Sequence, residues 1–167
     1  MKVARISLFA ALLVACSAVH GFGQTAVNVR VQNLLDQMTL EEKVGQMTQL
    51  TIEVVSVGDG TGIREPLMLD RKKLREAILD RGAGAFFNIG THAHTLERWN
   101  EIISEIQDVA RESRLKIPVL YGIDGIHGAS YTRGATIFPQ AIGMASTWNP
   151  DLLRQSAEIT AVEVRAS

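Results

Sequence analysis

Cysteine is all but missing from this chain: one residue, Cys16, among 167. A lone cysteine excludes a disulfide scaffold and a cysteine-ligated zinc site. There is no excess of positive charge, with 17 basic residues set against 18 acidic ones and no basic block, which argues against a nucleic-acid-binding module. Long apolar runs are also absent. The best candidate, the Ile6 to Ala15 run of apolar and small residues, has ten residues, whereas a bilayer-spanning helix needs ~20. No internal repeat, low-complexity stretch, Gly-Lys phosphate loop, nucleophile elbow or dinucleotide fingerprint is found.

What is present begins with an export segment. Lys2 and Arg5 form a charged n-region ahead of the Ile6–Ala15 run, and small residues follow at Ala18 and Gly23. Residues 1–23 therefore read as a signal peptide and residues 24–167 as the mature chain, exported to a periplasmic or extracellular compartment. Removing the segment leaves 15 basic residues against 18 acidic ones. Leu13-Val14-Ala15-Cys16 also reads as a lipobox, whose lipidated cysteine would anchor the protein to a membrane surface without spanning it. The alternative is ordinary cleavage at Ala18 or Gly23.

In the mature chain, Val31, Leu34, Leu35 and Met38 have helical spacing, and Thr39-Leu40-Glu41-Glu42 is a capping box for a second helix. Residues 47–57 are rich in Thr, Val and Ile and could be extended. Asp59-Gly60-Thr61-Gly62 is a turn cluster. Asp70 to Arg81 reads as a short helix with Leu74 and Ile78 on one face, stopped by Gly82. Ala83–Ile89 reads as a first buried strand and Pro118–Ile123 as a second. Between them Thr95 to Ser113 carries Leu96, Trp99, Ile103, Ile106 and Ala110 at helical spacing. This is one βαβ unit, whose crossover makes the strands parallel. A loop of about 25 residues leads to Asn149-Pro150, an N-cap and first-turn proline. The helix they open has Leu153, Ala157, Ala161 and Val164 as its apolar stripe. The pattern predicts the opening of a parallel α/β fold, short of the ~250 residues of a (β/α)8 barrel, so the chain is expected to be the N-terminal part of a longer protein.

Ligands of such folds lie at the carboxyl ends of the strands. One polar cluster there is Asn88-Ile89-Gly90-Thr91-His92-Ala93-His94, and the other is Tyr121 to Gly128. His92 and His94 could hold a divalent metal, as in metal-dependent amidohydrolases, or simply belong to a polar loop before Thr95. Asp124, between Gly122 and Gly125, could accept hydrogen bonds from paired hydroxyls of a neutral polyol. Equally, Asp124 could cap the following turn while His127 bonds the loop internally.

Four co-linear stretches carry a resemblance. Leu34-Leu35-Asp36-Gln37-Met38-Thr39-Leu40-Glu41-Glu42-Lys43-Val44-Gly45-Gln46-Met47 resembles the opening motif of glycoside hydrolase family 3, the β-glucosidase family. Ile117 to Gly128, then Gly134-Ala135-Thr136-Ile137-Phe138-Pro139-Gln140 and Thr147 to Arg165, resemble the same family in the same order. The resemblance implies a (β/α)8 TIM-like barrel, incomplete in this chain, and retaining hydrolysis of β-linked sugars through a covalent intermediate on an Asp. It implies no cofactor and no metal, and a β-glucoside or β-linked gluco-oligosaccharide as partner. It matches Asp124 to an aspartate that binds hydroxyls of the non-reducing-end sugar. His127 matches a motif position that shapes the loop, with a secondary sugar contact as the alternative. The nucleophile and acid/base it implies fall beyond Ser167, so no catalytic residue is expected within the chain, which alone should be inactive. Two other expectations stay open: a metal-dependent amidohydrolase-type barrel, and a non-catalytic glycan-binding protein.

Overall fold

The computed structural model describes residues 27–58, 66–88 and 93–167. The export segment with Cys16, the Asp59–Gly62 turn and His92 lie outside the described residues. The chain divides into two compact units, Met1–Lys43 and Val44–Ser167.

In the first unit, residues 27–37 form helix α1, as the spacing of Val31, Leu34 and Leu35 predicts. Helix α2 (Leu40–Gln46) starts in this unit. Its capping box is reciprocal: the Glu42 amide donates to Thr39 Oγ1 at 3.2 Å and the Thr39 amide donates to Glu42 Oε2 at 2.9 Å. Two of the orphan donors of a helix start are thereby satisfied. The Glu41 carboxyl is held below its usual range by its own backbone amide and by the Thr39 hydroxyl.

The second unit is built on a parallel sheet of three strands in the order β1 (Gln49–Thr51), β2 (Ala85–Phe87), β3 (Leu120–Gly122). Gln49, Ala85 and Leu120 share one level, Leu50, Phe86 and Tyr121 the next, and Thr51, Phe87 and Gly122 the last. The parallel β2–β3 pair expected from the βαβ pattern is present. The 47–57 stretch corrects the reading of that segment: only three residues are extended, and Ile52–Val55 then turn into a 3-10 helix. That strand is the third member of the sheet, so the strand before Asp124 is the third described strand and not the second.

Helix α3 (Arg71–Arg75) is capped by Asp70, whose carboxylate accepts from the amides of Lys72 and Lys73. It widens into a π turn over Glu76–Asp80, and Gly82, with φ +68°, ends it. Leu74 and Ile78 are buried as predicted. Helix α4 (Leu96–Glu112) runs between the caps Thr95 and Ser113. Its inward face is Trp99, Ile102, Ile106, Val109 and Ala110; Ile103 is only half-buried and Leu96 is 41% exposed. The stripe is rotated by one residue because Trp99, not Leu96, leads into the core. Phe86 at the centre of the sheet is fully buried, and Ile52, Val55, Leu67, Leu74, Ile102 and Ile106 complete one core with it. Close backbone packing closes the sheet's entry edge: a Cβ on Gly45 would lie 2.5 Å from the Gly82 carbonyl oxygen.

The connection after β3 contains a short helix α5 (Ala141–Ala145) and leads to α6 (Pro150–Ala166). Asn149 caps α6 through Oδ1, accepting from the amides of Asp151 and Leu152. The apolar stripe predicted for α6 is a poor guide to burial. Ser156 and Thr160 are its buried residues, and their hydroxyls are satisfied within the helix, by the carbonyls of Leu153 and Ser156 respectively. Thr160 lies under Gly125, whose added Cβ would be 3.2 Å from its Cγ2, and Ser156 faces Met144 of α5, its hydroxyl 3.5 Å from the sulfur.

Candidate functional site

Asp124 stands two residues past the end of β3, on the carboxyl side of a parallel sheet, where such folds bind their ligands. It is exposed. No hydrogen bond or ion pair engages its carboxylate among the described residues, so the turn-capping alternative is not what the fold uses it for. The segment that follows is tightly held. Gly128 has φ +115°, and a Cβ there would be 2.1 Å from the Thr136 carbonyl oxygen, so only glycine fits. Gly128 and Ile137 bridge in antiparallel fashion, and the Phe138 amide donates to the His127 carbonyl at 2.7 Å.

His127 completes this pairing through its side chain. Its Nδ1 lies 3.0 Å from the Phe138 carbonyl oxygen. A carbonyl only accepts, so Nδ1 donates and Nε2 of the neutral ring is left as an acceptor. His127 also borders a groove of about 420 Å³ with Phe138, Met144, Thr160 and Val164; Asp124 is not among the lining residues. That groove is apolar and gives a polyol little to bond. The loop therefore separates the two residues that the sequence places together: Asp124 faces solvent, and His127 ties the loop to itself.

A second cluster sits beside the site. Asn88, just past β2, is fully buried. Its amide donates to the Gly122 carbonyl at 3.0 Å, and its Oδ1 accepts from the Tyr121 hydroxyl at 3.1 Å. Its Nδ2 has no hydrogen-bond partner among the described residues, an uncommon state for a buried amide. Burial pushes the Tyr121 phenol upward from its ordinary pKa, so it stays a donor. Trp99 packs edge-on against Tyr121 at 5.8 Å and against His94 at 5.1 Å, and its indole N–H donates to the Tyr131 carbonyl at 2.8 Å.

His94 belongs to this cluster. It is 8% exposed, its backbone pairs with Tyr131 and Arg133, and its ring meets Trp99. Among the described residues no group of three His, Cys, Asp or Glu could hold a metal ion. Asn88 lies in the cluster that sequence singled out, but its partnership with Tyr121, 33 residues away, leaves no local mark.

A small parallel sheet flanked by helices, with an exposed carboxylate just past the carboxyl end of a strand, is the layout of a parallel α/β domain. The chain belongs to glycosyl hydrolase family 3: residues 39–167 match the model of the glycosyl hydrolase family 3 N terminal domain, a domain of TIM-barrel type. It is 33% identical over 144 residues to the lysosomal beta glucosidase of Dictyostelium discoideum, covering 81% of this chain and 17% of that protein. It is 32% identical over 145 residues to the periplasmic beta-glucosidase of Salmonella typhimurium, covering 86% of this chain and 16% of that protein. A stretch of 72 residues, 40% of this chain and 10% of its relative, is 39% identical to a beta-xylosidase of Formosa agariphila. The chain thus spans about a sixth of the length of the first two relatives. Membership of this family displaces the metal-dependent amidohydrolase reading, and the match lends the glycan-binding alternative no support.

Proposed function

We propose that this chain forms the opening strands of a (β/α)8-type barrel in an exported β-glucosidase-type glycoside hydrolase, with residues 1–23 as signal peptide and 24–167 as barrel. The family match over residues 39–167 carries the reading. The periplasmic relative supports export. Exposed apolar groups support the partial barrel: Leu120 on β3 is 73% exposed, and Ile142 and Trp148 are 85% and 93% exposed. Parallel sheets are ordinarily covered on both faces, and further βα units would cover these groups.

Asp124 is the sugar-binding carboxylate of this proposal. Exposed and unengaged, its two oxygens are available to accept from adjacent hydroxyls of the terminal sugar, while His127 serves the loop. The reaction is hydrolysis of a terminal β-glucoside with retention, using a nucleophile and an acid/base about 5–5.5 Å apart. Both are supplied by sequence outside these residues, so the 167-residue chain is inert on its own. Two measurements test the reading. Proton NMR of the complete enzyme acting on aryl β-glucoside and β-xyloside should show the β-anomer released first, with the glucoside preferred; α-anomer first would refute retention. Hydrolysis by the 167-residue chain above a matched blank would refute its inertness.

A further inference from the structure

The loop that presents Asp124 is held from outside by helix α6, and one side chain makes most of that hold. Glu163, half-buried on α6, accepts from the Thr136 amide at 3.2 Å on Oε1 and 3.0 Å on Oε2, and from the Thr136 hydroxyl at 2.9 Å on Oε1. Bonds to an ionised acceptor are roughly twice as strong as neutral ones. Thr136 in turn lies over Gly128, and Phe138, two residues on, is bonded to His127 through both backbone and ring. At the other end of the same segment, Gly125 packs against Thr160 and Val164 of α6, where an added Cβ would be 3.2 and 3.3 Å from their Cγ2 atoms. Residues 125–128 are thus fixed at both ends by one face of one helix, and Asp124 is the residue immediately before them.

We propose that Glu163 is a positioning residue for Asp124: by clamping Thr136 to α6 it sets the loop that aims the sugar-binding carboxylate. This inference rests on the sugar-binding reading of Asp124. The helix turns a flexible connection into a rigid mount, which is what a carboxylate needs if it is to meet two hydroxyls at once. Glu163 itself touches no substrate. Removing it should weaken catalysis only through Asp124.

A double-mutant cycle on kcat/KM in the complete enzyme tests this, with an aryl β-glucoside as substrate. Asp124→Ala should lose about 100-fold and Glu163→Ala about tenfold, while the double variant should lose about 100-fold, not about 1,000-fold. Glu163→Gln keeps an oxygen acceptor for Thr136 and should recover most of the tenfold. A merely structural Glu163 would give additive losses, and additivity overturns the proposal, as does Glu163→Ala within twofold of wild type. If Asp124→Ala itself were near wild type, the sugar-binding reading would fall first and the positioning role with it. Should Glu163→Ala not fold, Thr136→Ala removes one bond from the other end. It should lose about threefold, again without adding to Asp124→Ala, and wild-type behaviour there overturns the proposal.

Discussion

Trp99→Phe is the substitution that bears most directly on how the fold is joined to the site. The indole is 2% exposed. It donates to the Tyr131 carbonyl and lies between His94 and Tyr121. Phenylalanine removes the donor, which costs about 1 kcal/mol for a neutral hydrogen bond. The further penalty for an orphaned carbonyl does not arise, because the Tyr131 oxygen still accepts from the His94 amide at 3.0 Å. The smaller ring also gives up two buried carbons at about 0.8 kcal/mol each. The sum is about 2.5 kcal/mol, or ~70-fold in an opening equilibrium. Native-state hydrogen exchange of the α4 and β3 amides in the complete protein reads this directly. Protection should fall by that factor along Ile102–Ala110 and at Tyr121. A change below fivefold would show that Trp99 does not tie α4 to the strand mouth.

Three further outcomes are expected. Gly45→Ala drives a Cβ against the Gly82 carbonyl and should destabilise the second unit by about 1–3 kcal/mol, as overpacking does; an unchanged denaturant midpoint would contradict the close backbone crossing. Thr39→Ala removes the capping hydroxyl and should cost α2 about 1 kcal/mol, visible as faster exchange of its first-turn amides. The Glu97 carboxyl, bonded by its own backbone amide and by the Thr95 hydroxyl, is lowered from its ordinary 4.5. A lowered folded-state pKa contributes stability that is present above 4.5 and lost as pH falls through the lowered value. Carbon NMR titration should find this carboxyl ionising below 4.5, and Glu97→Gln should remove its share of the acid-side dependence.

Local chemistry was the legible part of this chain. The Thr39 capping box, the Asn149 cap and the pairing of Leu74 with Ile78 on the Asp70–Arg81 helix each depend on residues within four positions of one another. The parallel β2–β3 pair was also legible, because a strand, a long amphipathic helix and a strand admit one arrangement. Strand β1 was not resolved as a strand, since three extended residues before a 3-10 turn leave no alternation to read. The α6 stripe misled for a different reason: Thr160 packs under Gly125 and Ser156 against Met144, close contacts that a hydrophobic pattern does not register. At the site, the sequence motif singles out Asp124 as the candidate. The bonding of Thr136 to Glu163, 27 residues distant, is a tertiary contact that no spacing announces.

The central claim is that Asp124 binds the sugar. A charged acceptor contributes roughly 1.5–3 kcal/mol per hydrogen bond, and part of that grows as the ring distorts toward the oxocarbenium-like transition state. The measurement is kcat/KM of the purified complete Asp124→Ala enzyme on an aryl β-glucoside, beside wild type and with a thermal melt of each. The account predicts a loss of at least ~100-fold, each 1.36 kcal/mol being a factor of ten, with the melting temperature unchanged because the carboxylate is exposed and makes no internal bond among the described residues. Activity within threefold of wild type would contradict it.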